Sequence, residues 1–207
     1  MKALINNSGI KQDAAIIQPL ISALNHFHPL EDKVIQYFNK NVSSVSVKRG
    51  DMLLEAGDRC DHIYFIKQGV LRGFMYEGKK EITTWLSTEN ELVTSIFSFG
   101  LQLPAVENIE AIENCDLLSI SKEAVNTVYK KYPGFNITGR KLLEEYYRDA
   151  EKRAFIARLS SAENKYIFFL ENYGHLSNRV QLGYIASFLG ITLETLSRVR
   201  KRLSTPS

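Results

Sequence analysis

Cysteine, histidine and long apolar runs are all scarce in this chain, and each scarcity removes a class of function. The 207 residues carry two cysteines, Cys60 and Cys115. Two thiols supply neither a zinc quartet nor a disulfide framework, and they suit a reducing cytosol. The four histidines are scattered. His26 and His28 would face opposite ways on a strand, so no metal site is predicted. No run of about 18 apolar residues occurs, so no transmembrane helix and no membrane partner are predicted. The stretch from Met1 to Ser8 lacks the long apolar segment of a secretion signal. Nucleophile–base pairs and phosphate-binding loops are missing as well, so the chain is not expected to be an enzyme, and no cofactor is expected.

What is present is an ordinary globular composition with charge concentrated at one end. The hydrophobic fraction of 44% over this length is enough for one or two domains with a real core. Net charge is only +3. From Asn178 onward, however, Arg179, Arg198, Arg200, Lys201 and Arg202 face a single acid, Glu194. A locally basic end on a near-neutral body suits a polyanion partner.

Periodicity divides the chain into three. Residues 1–11 are polar and read as a frayed end; residues 12–25 have helical character interrupted by Pro19. A short helix follows at Pro29–Phe38. From Val42 the period becomes two. Candidate strands are Val42–Val47, Met52–Leu54, His62–Lys67, Val70–Tyr76, Glu81–Leu86, Asn108–Ile112 and Asp116–Ser121. They are separated by turn signals such as Arg49-Gly-Asp51 and Lys67-Gln-Gly69. Many short strands at regular spacing predict a small barrel or jelly roll. The apolar, aromatic segment Thr94–Leu103 reads as part of its core, with the lining of a ligand pocket as the alternative. After Tyr132-Pro-Gly134 the helical period returns. Leu143, Tyr147, Ala150, Ala154 and Ala157 form a heptad-like seam, read either as a dimer contact or as the buried side of an ordinary helix. Ser160-Ser-Ala-Glu163 has the spacing of a capping box and opens a helix at Ala162–Asn172. Tyr173–Asn178 is a loop with room for one short strand pair.

The segment Gln181–Leu203 reads as two short amphipathic helices hinged at Gly190. Gly190 suits the left-handed backbone of a tight turn, and Thr192 is a good N-cap for the second helix. Leu182, Ile185, Ala186, Leu189, Ile191, Leu196 and Val199 would close a shared core. Glu194, Ser197 and Arg198 stand at i, i+3 and i+4, so they share one outward face that carries no apolar residue. This is a helix-turn-helix pattern. The alternative is a helical hairpin with a solvated polar face.

Glu194-Thr-Leu-Ser-Arg198 resembles the recognition-helix signature of the Crp/Fnr family of bacterial transcription regulators, and most of all its Fnr-type branch. In that branch Glu, Ser and Arg at this spacing read the half-site TTGA. The branch that reads TGTGA would have Arg where Leu193 stands. Upstream, Lys48–Asp58 followed by His62–Leu71 is similar to the start of a cyclic-nucleotide-binding-type β-roll, the sensor domain of that family, over about residues 48 to 121. The resemblance implies an α+β chain: an N-terminal β-roll or jelly-roll sensor domain (1–132), a long dimerisation helix (133–159), and a C-terminal helix-turn-helix domain of winged-helix-like type (160–207). It implies a cytoplasmic homodimer that binds double-stranded DNA and works with RNA polymerase. Glu194, Ser197 and Arg198 would contact bases; Thr192, Thr195, Arg200, Lys201 and Arg179 would contact phosphates. Leu143, Tyr147, Ala150 and Ala154 would form the dimer seam.

The effector is where the sequence departs from that family. Cyclic-nucleotide-responsive members combine Gly-Glu-Leu with a later Arg-Ser/Thr, the Glu holding the ribose and the Arg the cyclic phosphate. Here the first element is matched by Asn90-Glu91-Leu92, which makes Glu91 the candidate ligand residue. No arginine lies between Arg72 and Arg140. Ala105 and Val106 stand about where Arg and Ser would be, followed by the acid Glu107. A guanidinium fork fits a phosphate in a way its neighbours cannot imitate, so ordinary cyclic AMP dependence is not expected. Other family sensors hold an iron–sulfur cluster, which asks for about four cysteines, or a haem, for which no axial ligand is placed here. Two alternatives stay open: a cyclic-nucleotide-responsive regulator with a diverged cassette, and a ligand-binding or protein-interaction module with a vestigial helix-turn-helix.

Overall fold

The computed structural model describes residues 14–204, so the reading of residues 1–11 lies outside the described residues. Two helices open the chain, α1 (Ala14–Phe27) and α2 (Asp32–Asn41). Pro19 does not interrupt α1. It sits within the second turn, and Ile17, Leu20, Ile21 and Leu24 give the helix a fully buried stripe that outweighs the lost hydrogen bond.

Eight strands follow: β1 (Val42–Val47), β2 (Met52–Leu54), β3 (His62–Gln68), β4 (Leu71–Glu77), β5 (Lys80–Ser87), β6 (Leu92–Val93), β7 (Asn108–Ala111) and β8 (Cys115–Ser121). They form two four-stranded sheets, ordered β1-β8-β3-β6 and β2-β7-β4-β5. In the first sheet β8 is central, running antiparallel to β1 from Val42↔Ile120 to Val47↔Cys115 and to β3 from His62↔Ser121 onward. Alternation along β1 and β8 puts Val45, Val47, Cys115 and Leu117 on one face, and Leu118, on the opposite face of β8, is buried as well. The predicted strands match seven of these eight. The two-residue β6 is too short to leave a period.

The segment Thr94–Leu103 corrects its reading as core. Ile96–Leu101 forms a short helix, α3, whose Ile96, Phe97 and Leu101 are exposed, as is Leu103 beyond it. Its inward face is serine. Ser98 Oγ accepts from the Cys60 N–H at 2.9 Å and donates to the Leu103 carbonyl at 2.5 Å. Lys122 closes the other end, bonding the Phe99 and Gly100 carbonyls from the start of α4 (Lys122–Lys131). With hydroxyls holding the segment to the strands, its apolar side chains are left outside.

The long helix α5 (Phe135–Arg158) and then α6 (Ala162–Tyr173), α7 (Leu182–Leu189) and α8 (Leu193–Ser204) complete the chain. Between α6 and α7 lies a single 3-10 turn, Gly174–Leu176, where a strand pair had room to form. No strand follows β8 among the described residues, so the C-terminal region has the helices of its expected type without flanking strands. The cap of α6 is also one residue later than the sequence suggests. Ser161, not Ser160, accepts the Asn164 N–H, so Glu163 is not part of a capping box.

The described residues resolve into two compact units, 14–73 with 86–145, and 74–85 with 146–204. In the first, Phe135 packs edge-on against Phe38 and beside Tyr129, which fixes the start of α5. The second contains the tip of the β4–β5 hairpin, the later half of α5, and α6 to α8. Its core is an aromatic cluster of Tyr166, Phe169, Tyr173 and Phe188, joined by Ile185, Leu189, Leu196 and Val199.

The β3–β4 turn is tightly packed against the start of β8. Gly69 has φ of +102°, and a Cβ there would lie 2.5 Å from Cys115 Sγ and 2.7 Å from the Asn114 carbonyl oxygen. Burial pushes the Cys115 thiol up to about 11, so it stays a neutral packing group. Gly69→Ala combines a disfavoured backbone with a clash and is expected to cost about 2 kcal/mol or more; urea unfolding of the variant beside the native protein measures it.

Candidate nucleic-acid interface

The turn between α7 and α8 is built by its backbone before any side chain acts. Gly190 adopts φ of +63°. Its N–H bonds the Ser187 carbonyl at 3.0 Å, and the Ile191 N–H bonds the Ala186 carbonyl at 3.0 Å. These are the two bonds of a Schellman cap, which a left-handed residue at this position makes possible. Thr192 then starts α8, its hydroxyl accepting the Thr195 N–H at 3.2 Å. Ile185, Ala186, Leu189, Leu196 and Val199 are buried where the two helices meet. Small Ala186 permits the close approach. Gln181 makes no side-chain cap for α7, as its type suggests.

One lysine secures this turn and was not singled out by its sequence pattern. Lys165 on α6 is only 8% exposed, and its Nζ donates to the Leu189 carbonyl at 2.9 Å. That carbonyl belongs to the last turn of α7 and has no intrahelical partner. A cation there also complements the negative end of the helix. The signal was faint: Lys165 opens the buried i, i+4 row of α6 that continues through Phe169 and Tyr173.

The outward face of α8 carries the predicted trio. Glu194, Ser197 and Arg198 are all exposed and lie along one side, while Leu196 and Val199 point inward. Two further threonines stiffen it. Thr192 Oγ1 and Thr195 Oγ1 are 3.1 Å apart, and Arg198 Nη2 donates to Thr195 Oγ1 at 3.2 Å. This chain of bonds holds one arm of the guanidinium against the helix. Glu194 is fully exposed, and its carboxyl is held below the usual carboxylate range by its own backbone N–H, the Thr192 hydroxyl and the Arg198 charge. The face therefore presents one anion and one cation side by side at neutral pH, a donor–acceptor pattern suited to base edges.

The remaining candidates are placed as follows. Lys201 is exposed near the end of α8, and Arg200 is half-buried beside it. Arg202 forms an ion pair with Glu163 at the start of α6, which commits its charge to that contact. Arg179 lies on a separate element, the turn ahead of α7, and is half-buried. On α5, Leu143 and Tyr147 are 58% and 67% exposed and Ala150 is exposed too, while Ala154 is half-buried. Glu91 belongs to the turn between β5 and β6. Its backbone pairs with Ile66, its side chain is exposed, and Asn90 before it takes a left-handed backbone (φ 69°). Ala105 is buried and its backbone pairs with Asp58, whereas Val106 is exposed. Arg72 is 1% exposed and lies 2.9 Å from Glu110, so its charge is already balanced within the sheet.

Residues 44–132 match the family model described as the cyclic nucleotide-binding domain. Over 206 aligned residues the chain is 24% identical to the fumarate and nitrate reduction regulatory protein of Yersinia pestis, covering 92% of this chain and 79% of that one. It is also 24% identical to the transcriptional activator protein Anr of Pseudomonas protegens, over 75% of this chain and 68% of the relative. Among solved structures, a putative transcriptional regulator of the Crp/Fnr family from Eubacterium rectale superposes with a TM-score of 0.65 at 18% identity, covering 84% of this chain and 83% of that one. No helix among the described residues is long and apolar enough to cross a membrane.

Loss of the buried lysine should be felt in stability. Lys165→Met leaves the Leu189 carbonyl buried without its charged donor and is expected to cost about 2 kcal/mol, read as a lower midpoint in urea with an unchanged slope.

Proposed function

We propose that the chain is a transcription regulator of Crp/Fnr type and that it acts as a cytoplasmic homodimer reading a palindrome of TTGA-like half-sites. The observation that carries this reading is the α8 face. Glu194, Ser197 and Arg198 are exposed together on a helix that a Schellman turn joins to a second helix. Two such helices, one from each protomer, would enter successive major grooves about 34 Å apart. Arg198 donates to a guanine edge, Glu194 accepts from a cytosine amino group, and Ser197 meets the neighbouring base. Thr192, Thr195, Arg200, Lys201 and Arg179 contact phosphates, fixing register without reading sequence. The exposed stripe of Leu143, Tyr147 and Ala150 supports α5 as the dimer seam. RNA polymerase is the expected partner at promoters, and the chemistry is recognition rather than catalysis.

Cyclic nucleotide control is the second reading, favoured by the domain that residues 44–132 match. Against it stand the missing arginine between Arg72 and Arg140 and the commitment of Arg72 to Glu110. A cyclic phosphate would find no free guanidinium in the cassette. Titration calorimetry with cyclic AMP and cyclic GMP separates the two readings, and we expect no saturable heat.

The DNA-binding reading is tested at two residues that should behave differently. Arg198→Ala is expected to cost roughly 1–3 kcal/mol on a TTGA palindrome and to relax one base position. Lys201→Ala should weaken all sequences alike and flatten the salt dependence by about one counterion. Fluorescence anisotropy on a set of single-base variants measures both, and unchanged affinity in Arg198→Ala would exclude the proposed role of α8.

A further inference from the structure

The second unit contains a bond between two segments that are remote in sequence. Ser187, in the last turn of α7, accepts the Thr83 N–H at 2.9 Å and donates to the Glu81 carbonyl at 3.1 Å. Both partners are backbone groups of β5. That strand is the edge of its sheet, β2-β7-β4-β5, so its outer side has no neighbouring strand among the described residues. Residues two apart on a strand direct their backbone groups to the same side. A single hydroxyl placed between residues 81 and 83 can therefore serve a donor and an acceptor at once, in place of the missing strand. Thr83 is buried, so water does not readily replace the hydroxyl.

We propose that Ser187 is a positioning residue: by fastening α7 to the edge of β5 it sets the separation of the two reading helices in the dimer, and so the half-site spacing the protein accepts. The inference rests on the dimeric DNA-reading proposal above. Its basis is that the route from the seam to the reading face lies inside one compact unit, which holds Tyr147, Ala150 and Ala154 as well as α8. Side-chain links brace that route. Tyr173 donates to Asp149 Oδ1 at 2.7 Å, tying α6 to α5, and Arg153 pairs with the same carboxylate. Lys165 ties α6 to α7, and Ser187 supplies the link to β5. Without it, α6 and α7 still pack on each other, but α7 and α8 keep only one braced side. Each reading helix then samples a range of positions relative to the seam. Recognition of one half-site is intact, because Glu194, Ser197 and Arg198 are exposed and keep their own bonds on α8. What degrades is the match between two half-sites at a fixed distance.

The experiment uses the full chain and measures affinity for three kinds of duplex: one half-site, the preferred palindrome, and palindromes lengthened or shortened at the centre by one base pair. The native protein should discriminate among spacings. Ser187→Ala should keep its half-site affinity and lose roughly tenfold of that discrimination, as expected for removing one hydroxyl that makes two hydrogen bonds. Ser187→Thr, which keeps the hydroxyl, should retain the native spacing profile. A native spacing profile in Ser187→Ala overturns the proposal. So does an equal loss on half-site and palindrome with a fall in thermal midpoint, which would make the serine a stability element only. If the native protein binds no palindrome at all, the DNA-reading proposal fails instead, and the two failures are distinct.

Discussion

The carbonyl of Leu189 is the point on which the C-terminal unit turns. It ends one helix a single residue before the chain must reverse into the next, and it lies where water is excluded. Backbone geometry at Gly190 satisfies the carbonyls of Ala186 and Ser187, and Lys165 satisfies Leu189 from outside the motif. A buried polar group without a partner is costly. The angle between α7 and α8 is thereby tied to the position of α6, and through Tyr173 and Asp149 to α5. The outward face of α8 inherits its orientation from a series of satisfied polar groups around an aromatic core.

That dependence explains what could be read in the sequence. The strands were legible because β-branched residues alternate between glycine turns, and the reading trio because helical spacing alone places Glu194, Ser197 and Arg198 together. Gly190 and Thr192 announced a turn and a cap by residue type. Lys165 and Ser187 gave no such signal. Their partners lie 24 and more than 100 residues away, and neither a lone lysine nor a lone serine carries information about a backbone group so remote. The displaced cap at Ser161 shows a milder version of the same limit, since two adjacent serines offer equivalent local chemistry. Helix α4, capped by Ser121, buries Ala124 and Val128, too thin an apolar stripe to stand out in sequence from the end of β8.

The segment around α3 failed for a different reason. An apolar stretch reads as core when hydrophobicity is the only measure. Here Ser98 and Lys122 pin the backbone through hydrogen bonds, and the side chains of Ile96, Phe97 and Leu101 are left exposed. Polar anchoring decided the burial of the segment, and its composition did not. The same logic applies to Arg72, whose chemistry would suit an anion but whose charge is balanced within the sheet by Glu110.

The hairpin tip has a consequence for how the chain can be taken apart. A fragment beginning at residue 160 would carry every residue of the reading motif, yet it would leave behind the strand that Ser187 grips. The helix pair is thus not a portable cassette. Part of its mounting is encoded some hundred residues upstream, on the outer edge of β5, and transplanting the pair faithfully would mean transplanting that strand edge with it.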